Sequence, residues 1–337
     1  MDLRVGIVGC GMIGKEHAKR LQYKIQGATV VALCDVFEEG AKKANELIGG
    51  VAKVYTDADQ MINDPDVDAV VVTTPGQFHK NPILSAIKAG KPVFTEKPLT
   101  NTAAECKEIV DAEIAGGKHL VQVGFMRRYD RGYNQVKEMI DSGKYGAPLI
   151  VKCTHRAESV ADDYTTEMAV TDTAIHEIDV LPWLIGDEWD EVECIFPKNT
   201  KNAHEGLKDP QVMILKTKGG IVTFLEVNVN CGFGYDINCE VVCEDGVITL
   251  PCPSFPMVRH NFQNGTAIEK NWMLRFIDSY DVELQDWVDA TVKGETTGCS
   301  AWNGYVASIT ADALVASQKS GKPEKVVTGG TPEFYQA

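Results

Sequence analysis

A glycine-rich turn between a predicted strand and a predicted helix constrains the fold more than any other feature of this sequence. Residues 3–8 form an apolar run typical of a buried strand, and residues 15–22 have helical apolar spacing. Between them lies Gly9-Cys10-Gly11-Met12-Ile13-Gly14. In this arrangement the glycines let a pyrophosphate approach the backbone and rest against the amino terminus of the helix. The sequence therefore predicts a dinucleotide-binding domain.

An acidic residue at the end of the second predicted strand indicates which dinucleotide is bound. Asp35 follows the strand-like residues 29–34 and lies twenty-one residues after Gly14. A carboxylate there can accept hydrogen bonds from both adenosine ribose hydroxyls and repels a 2′-phosphate, which favours NAD over NADP. Val36 adds no positive charge that would reverse this preference. Asp35 could also cap the helix predicted over residues 37–47, and the two roles are compatible.

Strand-like and helix-like segments continue to alternate up to Gly124. The strands predicted after Asp35 cover residues 52–55, 67–74, 93–95 and 120–123, and the helices cover residues 58–62, 79–89 and 103–115. This alternation is typical of a parallel sheet with helices on both faces. Residues 73–76 and Glu96-Lys97-Pro98 would lie at carboxyl ends of strands, where such sheets bind ligands. An ordinary strand end with a solvated Lys97 is the alternative.

The pattern changes after Gly124. Strand-like stretches without regular helical crossovers occupy residues 149–156, 212–217, 220–230, 237–244 and 247–250, and helical patterns occupy residues 133–142, 271–292 and 301–318. We expect an α+β domain with a large open, mostly antiparallel or mixed sheet. A chain of 337 residues exceeds the usual limit for a single core. We therefore predict an α/β protein with a Rossmann NAD-binding domain over residues 1–124 and a substrate-binding and oligomerisation domain over residues 125–337.

Composition excludes several classes of protein. The net charge of −15 argues against a nucleic-acid partner, because no basic stripe can replace phosphate counterions. No stretch approaches the roughly 20 apolar residues of a membrane helix. The opening residues 1–5 lead directly into the first predicted strand, so we expect no signal peptide, no membrane partner and a cytoplasmic location. The ten cysteines include no Cys-x-x-Cys pair, which favours reduced thiols over disulfides or a zinc site.

A second group of reactive side chains lies on a helix predicted over residues 169–186. Asp172 and His176 are four residues apart, which would place them one turn apart on one face of an α-helix. Histidine is suited to remove a hydroxyl proton near neutral pH, and a nearby carboxylate can orient its ring. A lysine such as Lys97 can stabilise developing negative charge. We hypothesise that these three residues converge as the proton-transfer site of an NAD-dependent alcohol oxidation.

Other interpretations of the same residues are open. Asp172 and His176 could form an ordinary intrahelical pair. His176 could hold a metal together with Glu177 or Asp179, although no His-Glu-x-x-His pattern follows and we predict no metal. The pair Arg127-Arg128 could form an ion-pair cluster on the surface.

Four motifs together resemble those of the Gfo/Idh/MocA oxidoreductases. They are Gly9-x-Gly11-x-x-Gly14, Glu96-Lys97-Pro98, Gly124-Phe125-Met126-Arg127-Arg128-Tyr129-Asp130 and Asp172-x-x-x-His176-Glu177-x-Asp179. Within that family the chain is most similar to the bacterial inositol 2-dehydrogenases. The similarity runs from the first strand to residues 333–336, and its more specific parts are residues 126–130 and 164–166.

The resemblance implies a two-domain, commonly tetrameric enzyme that uses NAD to oxidise one ring hydroxyl of an inositol to an inosose. It implies a catalytic set of Lys97, Asp172 and His176, with His176 as the proton acceptor. The cofactor would contact Gly9, Gly11, Met12, Ile13, Gly14, Asp35, Val36, Thr73, Thr74, Pro75, His79, Glu96 and Lys97. The substrate would contact Lys97, Met126, Arg127, His155, Asp172, His176 and Tyr235.

The resemblance leaves the substrate less defined than the reaction. Myo-inositol and scyllo-inositol are both open, because residues 74–77 lack the aromatic residue that some inositol dehydrogenases carry near this turn. Two further alternatives are a dehydrogenase of another sugar, such as an aldose, and a catalytically silent NAD-sensing regulatory protein. Retention of Lys97, Asp172 and His176 favours an enzyme. We expect a homotetramer, because in this family another subunit covers the open face of the sheet.

Overall fold

The structure, a computed structural model, describes residues 2–251 and 255–336. The chain forms two compact units. The first comprises Met1–Phe125, Tyr280–Ser308 and Thr328–Ala337, and the second comprises Met126–Ser279 and Ile309–Val327. Within the described residues, no helix is both long enough and apolar enough to cross a membrane.

Up to Phe125 the chain alternates between strand and helix, as the sequence predicts. The elements are β1 (Leu3–Val8), α1 (Met12–Tyr23), β2 (Ala28–Cys34), α2 (Glu38–Leu47), β3 (Lys53–Tyr55), α3 (Ala58–Ile62), β4 (Ala69–Val72), α4 (Lys80–Ala89), β5 (Val93–Glu96), α5 (Ala103–Gly116) and β6 (Val121–Gly124). All neighbouring pairs among these six strands are parallel. The predicted Rossmann arrangement is confirmed.

The rest of the chain supplies the second sheet and several long helices. The elements are α6 (Arg131–Asp141), β7 (Pro148–Arg156), α7 (Ile175–Ile185), β8 (Trp189–Ile195), β9 (Gln211–Thr217), β10 (Val222–Asn228), β11 (Asp236–Cys243), β12 (Val247–Thr249), β13 (Val258–His260), β14 (Gln263–Gly265), α8 (Trp272–Lys293), β15 (Cys299–Ser300), α9 (Ala301–Ser320) and β16 (Glu324–Lys325).

The first sheet has the strand order β15-β6-β5-β4-β1-β2-β3. Its central strands are buried on both faces: every residue of β4 has an exposed fraction of 0%. This explains why β4 is a continuous run of alanine and valine and not an alternating pattern. The order reverses at β1, and the carboxyl ends of β1 and β4 meet at this switch point, where open α/β sheets bind nucleotides.

The units differ from the predicted division into residues 1–124 and 125–337, because the chain returns to the first unit twice. Cys299 of β15 pairs with Val123 of β6 in an antiparallel arrangement. Trp287 of α8 is 3% exposed and belongs to the core cluster that contains β1 and α1. Near the carboxyl terminus, the hydroxyl of Tyr335 donates to Glu113 Oε2 at 2.6 Å. Residues 280–308 and 328–337 are therefore part of the first unit.

The second sheet has the strand order β12-β11-β7-β10-β9-β8-β16. Only β7 and β10 run parallel among its paired, described strands, so the predicted mixed and mostly antiparallel sheet is confirmed. The sequence patterns did not predict β8. Its register with β9 shifts between Trp189 and Glu191, and such a bulge interrupts the alternation by which a strand is recognised.

Alternation along β7 places one functional candidate on the buried face of this sheet. Val151, Cys153 and His155 are buried, whereas Lys152 between them is exposed. Successive side chains of a strand point to opposite faces, so His155 belongs to the inner face. We expected reduced cysteines in preference to disulfides. Cys153 and Cys239 face each other across β7 and β11, and both are free thiols. Cys252 lies outside the described residues.

Candidate active site

The glycine turn is too tightly packed for any side chain at two of its positions. Gly9 has a φ of +96°, and a Cβ atom there would lie 2.6 Å from the backbone nitrogen of Thr74. A Cβ atom on Gly14 would lie 2.0 Å from the carbonyl oxygen of Gly9. At Gly11, by contrast, a Cβ atom would meet no described atom within 4 Å. The amino terminus of α1 is therefore kept open, which fits the pyrophosphate of a dinucleotide.

Asp35 links the end of β2 to this turn. Its Oδ2 accepts a hydrogen bond from the backbone N–H of Cys10 at 2.8 Å, and its Oδ1 accepts one from Phe37 at 2.9 Å. Phe37, not Asp35, is the N-cap residue of α2, so the helix-cap interpretation is wrong. A carboxylate has about four lone-pair sites. Asp35 can thus hold the turn and still accept ribose hydroxyls, while Val36 beside it is 81% exposed.

Two polar residues connect the strand ends around the turn. Thr73 is 5% exposed, and its hydroxyl donates to the carbonyl oxygen of Gly9 at 2.6 Å. His79 is 1% exposed, with Nε2 at 2.6 Å from the carbonyl oxygen of Thr74 and Nδ1 at 2.8 Å from that of Pro98. Burial lowers the pKa of His79. A neutral imidazole carries one N–H, so His79 donates to only one of these carbonyl oxygens, although its ring lies between the turns that follow β4 and β5.

Lys97 follows β5 directly and is only half-buried. The preceding Glu96 is 6% exposed, and its Oε1 lies 2.7 Å from Nε2 of His17 on α1. Its Oε2 accepts a hydrogen bond from the backbone N–H of Lys97 at 3.2 Å. In the structure the Glu96 carboxylate thus holds the strand end against α1, and the lysine side chain extends from this fixed backbone.

Within the second unit, four predicted substrate or catalytic residues form one buried cluster. The ring of His155 lies 6.2 Å from that of His176 and 5.5 Å from that of Tyr235, measured between centroids. Nδ1 of His155 is 3.1 Å from Nη2 of Arg127. Exposed fractions are 4% for His155, 8% for His176, 6% for Tyr235 and 1% for Arg127. Burial raises the pKa of the Tyr235 hydroxyl, so this group is a neutral donor at physiological pH.

Arg127 is not part of a surface ion-pair cluster. Its Nη1 donates to Oε1 of Glu177, and both side chains are 1% exposed. Arg128 pairs with Asp179, with Nε donating to Oδ2 at 3.0 Å. Burial raises the pKa of Glu177, but the charge of Arg127 and the proximity of His155 outweigh it, so that pKa is lowered overall.

The same contacts argue against a metal site at His176. The two carboxylates that would complete it, Glu177 and Asp179, are each paired with an arginine. Within residues 2–251 and 255–336, no group of three or more His, Cys, Asp and Glu side chains could hold a metal ion.

The segment that carries Asp172 is not the α-helix that the sequence predicts. Ala169–Ala174 is π-helical, and the α-helix α7 begins only at Ile175. Asp172 is exposed whereas His176 is buried. A π-helix closes i→i+5 hydrogen bonds, so the α-helical geometry assumed for this pair does not extend to Asp172, and the proximity of Asp172 to His176 stays a prediction. Short π-helical turns inside α-helices occur frequently at functional sites.

The described contacts bring together only part of the predicted site. Lys97 belongs to the first unit, and Asp172 and His176 belong to the second, so their convergence stays a prediction. Met126 is 2% exposed at the start of the second unit. Sequence patterns gave no role to Glu177 beyond a possible metal ligand. Sequence reasoning missed Glu177 because Ile175–Leu181 are all buried. A helix without an exposed polar face gives no pattern that distinguishes one of its polar residues.

Comparisons with known proteins match both units. Residues 3–125 match the GFO_IDH_MocA family, described as an oxidoreductase family with an NAD-binding Rossmann fold, and residues 133–249 match the GFO/IDH/MocA C-terminal domain. An inositol 2-dehydrogenase of Azotobacter vinelandii is 50% identical over 335 residues, or 99% of each chain. One from Klebsiella pneumoniae subsp. pneumoniae is 48% identical over 336 residues, or 100% of each chain.

Two solved structures are similar over nearly the whole chain. The myo-inositol dehydrogenase of Lactobacillus casei, in complex with NAD(H) and myo-inositol, is 42% identical with a TM-score of 0.97 and 100% coverage of both chains. The scyllo-inositol dehydrogenase of the same organism, with bound NAD(H) and scyllo-inositol, is 26% identical with a TM-score of 0.87, covering 97% of this chain and 100% of that one. The chain belongs to the GFO/IDH/MocA family of oxidoreductases, with an NAD-binding Rossmann domain at its amino terminus.

Proposed function

We propose that the protein is an NAD-dependent inositol 2-dehydrogenase, which oxidises one ring hydroxyl of an inositol to the corresponding inosose. The observation that carries the proposal is the buried cluster of His155, His176 and Tyr235 in the second unit. Buried polar rings are uncommon in apolar cores, and side chains that can donate and accept hydrogen bonds suit a ligand rich in hydroxyls. The names of the full-length relatives support the same substrate class.

The first unit fits NAD in preference to NADP. The N–H groups at residues 11–13 would hold the pyrophosphate at the start of α1. Asp35 would accept the adenosine ribose hydroxyls and repel a 2′-phosphate. Thr73, Pro75 and His79 would shape the edge of the site from the turn after β4. When bound, NAD supplies the hydride acceptor.

The protein's own residues would manage the proton. His176 would take the hydroxyl proton as general base, a role that typically contributes a factor of about 10²–10⁴ to turnover. Asp172 would stabilise the resulting imidazolium. Lys97 would donate to the reacting oxygen and stabilise its negative charge as the proton leaves.

A polyol also requires polar lining for its other hydroxyls. Each hydroxyl taken from water must regain a hydrogen-bond partner, because an unsatisfied one costs about 1–3 kcal/mol. His155 and Tyr235 are the second-unit residues best suited to this role. A hydroxyl on the wrong ring face would lose its partner, which makes the site selective between isomers. We propose a preference for myo-inositol over scyllo-inositol, because identity to the myo-inositol enzyme is 42% and to the scyllo-inositol enzyme 26%.

We also propose that the enzyme is a homotetramer whose subunits meet at the open face of the second sheet. This face carries Phe224, which is 46% exposed on β10. The surrounding surface has paired charges, such as Lys152 Nζ and Glu240 Oε1 at 2.9 Å. An exposed aromatic among neutralised charges suits burial against a second copy of the chain.

We also propose a cytoplasmic location, because the proposed reaction needs a cellular supply of NAD.

The proposed function is tested by following NADH formation by its absorbance with a panel of inositol isomers and aldoses. We expect oxidation of myo-inositol with the highest kcat/KM, weaker oxidation of scyllo-inositol and little reaction with aldoses. A preference for an aldose would redirect the substrate assignment. Absence of reduction with every compound, together with tight NAD binding, would favour the regulatory alternative.

A further inference from the structure

The contacts of Glu177 give this residue a role outside the predicted catalytic and substrate sets. Glu177 lies on α7 and is 1% exposed. Its two carboxylate oxygens have different partners. Oε1 accepts from Nη1 of Arg127, and Oε2 lies 3.0 Å from Nδ1 of His155. One buried carboxylate therefore connects an arginine to a candidate substrate residue.

Nδ1 of His155 is placed between a donor and an acceptor. Nη2 of Arg127, at 3.1 Å, can only donate, whereas Oε2 of Glu177, at 3.0 Å, can only accept. Arg127 would need a lone pair on Nδ1, and Glu177 would need a hydrogen there. A neutral imidazole cannot satisfy both, so these two charged neighbours determine its tautomer.

The surroundings favour a hydrogen on Nδ1. A lone pair on Nδ1 would face the Glu177 carboxylate at 3.0 Å in a buried environment, where repulsion is weakly screened. Arg127 does not depend on Nδ1 alone, because its guanidinium has several N–H donors and a second anionic partner. It pairs with Glu177 through Nη1, and its guanidinium lies 5.3 Å from the ring centroid of Phe276.

We propose that Glu177 is a positioning residue that holds His155 in the Nδ1–H tautomer, so that Nε2 presents a lone pair to a hydroxyl of the polyol. Arg127 then balances the buried charge of Glu177 and does not contact the substrate. The proposal rests on the proposed function, because it takes His155 as a substrate residue. The proposal also explains why Arg127, which the family resemblance assigns to the substrate, is enclosed by protein groups.

This arrangement gives the cluster a defined polarity. His155 is packed by Arg127 from the turn at residues 126–129, by His176 and Glu177 from α7, and by Tyr235 next to β11. With Nδ1–H donating to Glu177, His155 accepts a hydrogen bond from substrate, whereas the Tyr235 hydroxyl can donate one. Two neighbouring side chains with opposite roles can distinguish the orientation of adjacent ring hydroxyls.

A double-variant cycle on steady-state kinetics tests whether Glu177 acts through His155. Glu177→Gln should raise the KM for myo-inositol about 10- to 150-fold, the effect of one charged hydrogen bond, and leave the KM for NAD nearly unchanged. His155→Ala should have a similar effect. The variant with both changes should lose no more than His155→Ala alone, because one hydrogen bond carries both effects. Losses that multiply would overturn the proposal.

Two further variants separate positioning from folding. Glu177→Gln leaves the charge of Arg127 without its buried anion, which can prevent folding. Arg127→Met/Glu177→Met removes both charges together, so it should fold and still show the raised KM for myo-inositol. Asp130→Asn is the matched control, because it removes the carboxylate from another buried pair, with Arg275 Nη1 at 2.7 Å. It should leave the KM for myo-inositol unchanged, and a rise equal to that of Glu177→Gln would overturn the proposal.

The tautomer itself is measurable by NMR of protein labelled with ¹⁵N-histidine, with the His155 signals assigned by their loss in His155→Ala. We expect Nδ1–H in the wild-type protein and no such preference in Arg127→Met/Glu177→Met. An Nε2–H tautomer in the wild type would overturn the proposal. Because this readout needs no substrate, Nδ1–H in a protein that oxidises no inositol would support the role of Glu177 and refute the proposed function.

Discussion

Replacing Asp35 with serine tests the cofactor preference through one side chain. The Asp35 carboxylate accepts hydrogen bonds from the N–H groups of Cys10 and Phe37 and is placed at the carboxyl end of β2. Serine is neutral and shorter, so the ribose of NAD would lose at least one charged hydrogen bond, worth about 1.5–3 kcal/mol. Since about 1.4 kcal/mol corresponds to a factor of ten, the Kd for NAD should rise about 10- to 150-fold. The repulsion that excludes a 2′-phosphate disappears in the same variant.

The assay compares Kd values for NAD and NADP by isothermal titration calorimetry in the wild type and in Asp35→Ser. The control is Asp66→Ser, which removes a 58%-exposed carboxylate from the Arg4 ion pair and should leave both Kd values unchanged. We expect tight NAD binding and weak NADP binding in the wild type, and a much smaller difference in Asp35→Ser. A wild-type protein that prefers NADP, or an unchanged Kd for NAD in the variant, would refute the reasoning.

Three further predictions concern the turn, the assembly and acid stability. Gly14→Ala should abolish measurable NAD binding, because its Cβ atom would lie 2.0 Å from the carbonyl oxygen of Gly9; calorimetry checks this. Phe224→Glu should shift the protein from a tetramer to smaller species in light scattering coupled to gel filtration, because the face that carries it would gain unpaired charge. The free energy of unfolding in urea should fall as the pH drops below about 4.3, because a carboxyl with a lowered folded pKa loses its stabilising charge on protonation. The loss of unfolding free energy at low pH should be smaller in Arg127→Met/Glu177→Met, because that variant lacks Glu177, whose pKa is lowered in the folded protein.

Local patterns were sufficient to predict much of the first unit. The glycine turn, the apolar run of β4 and the acidic end of β2 each depend on neighbouring residues in sequence. The return of the chain to this unit could not be predicted in the same way. Trp287 packs in a core that includes β1 and α1, more than two hundred positions earlier, and amphipathic spacing identifies a buried face without identifying its partner.

The second unit shows the same limit at its polar residues. The family resemblance implied that Arg127, His155, His176 and Tyr235 belong to one site, but not which of them contact one another. Burial of Arg127 depends on Glu177, which lies fifty positions away in the chain. Helical spacing also failed before Ile175, because the choice between π- and α-helical winding depends on packing around the segment, beyond its own apolar pattern.

The most direct test of the central claim is NADH formation from myo-inositol by the wild type and by His176→Ala, measured beside NAD binding. We predict NADH formation by the wild type and a loss of about 10²–10⁴-fold in kcat for the variant, with an unchanged Kd for NAD. Such a result would identify a residue that acts in proton transfer and not in cofactor binding. Equal turnover of myo-inositol by both proteins, or none by the wild type, would contradict the account.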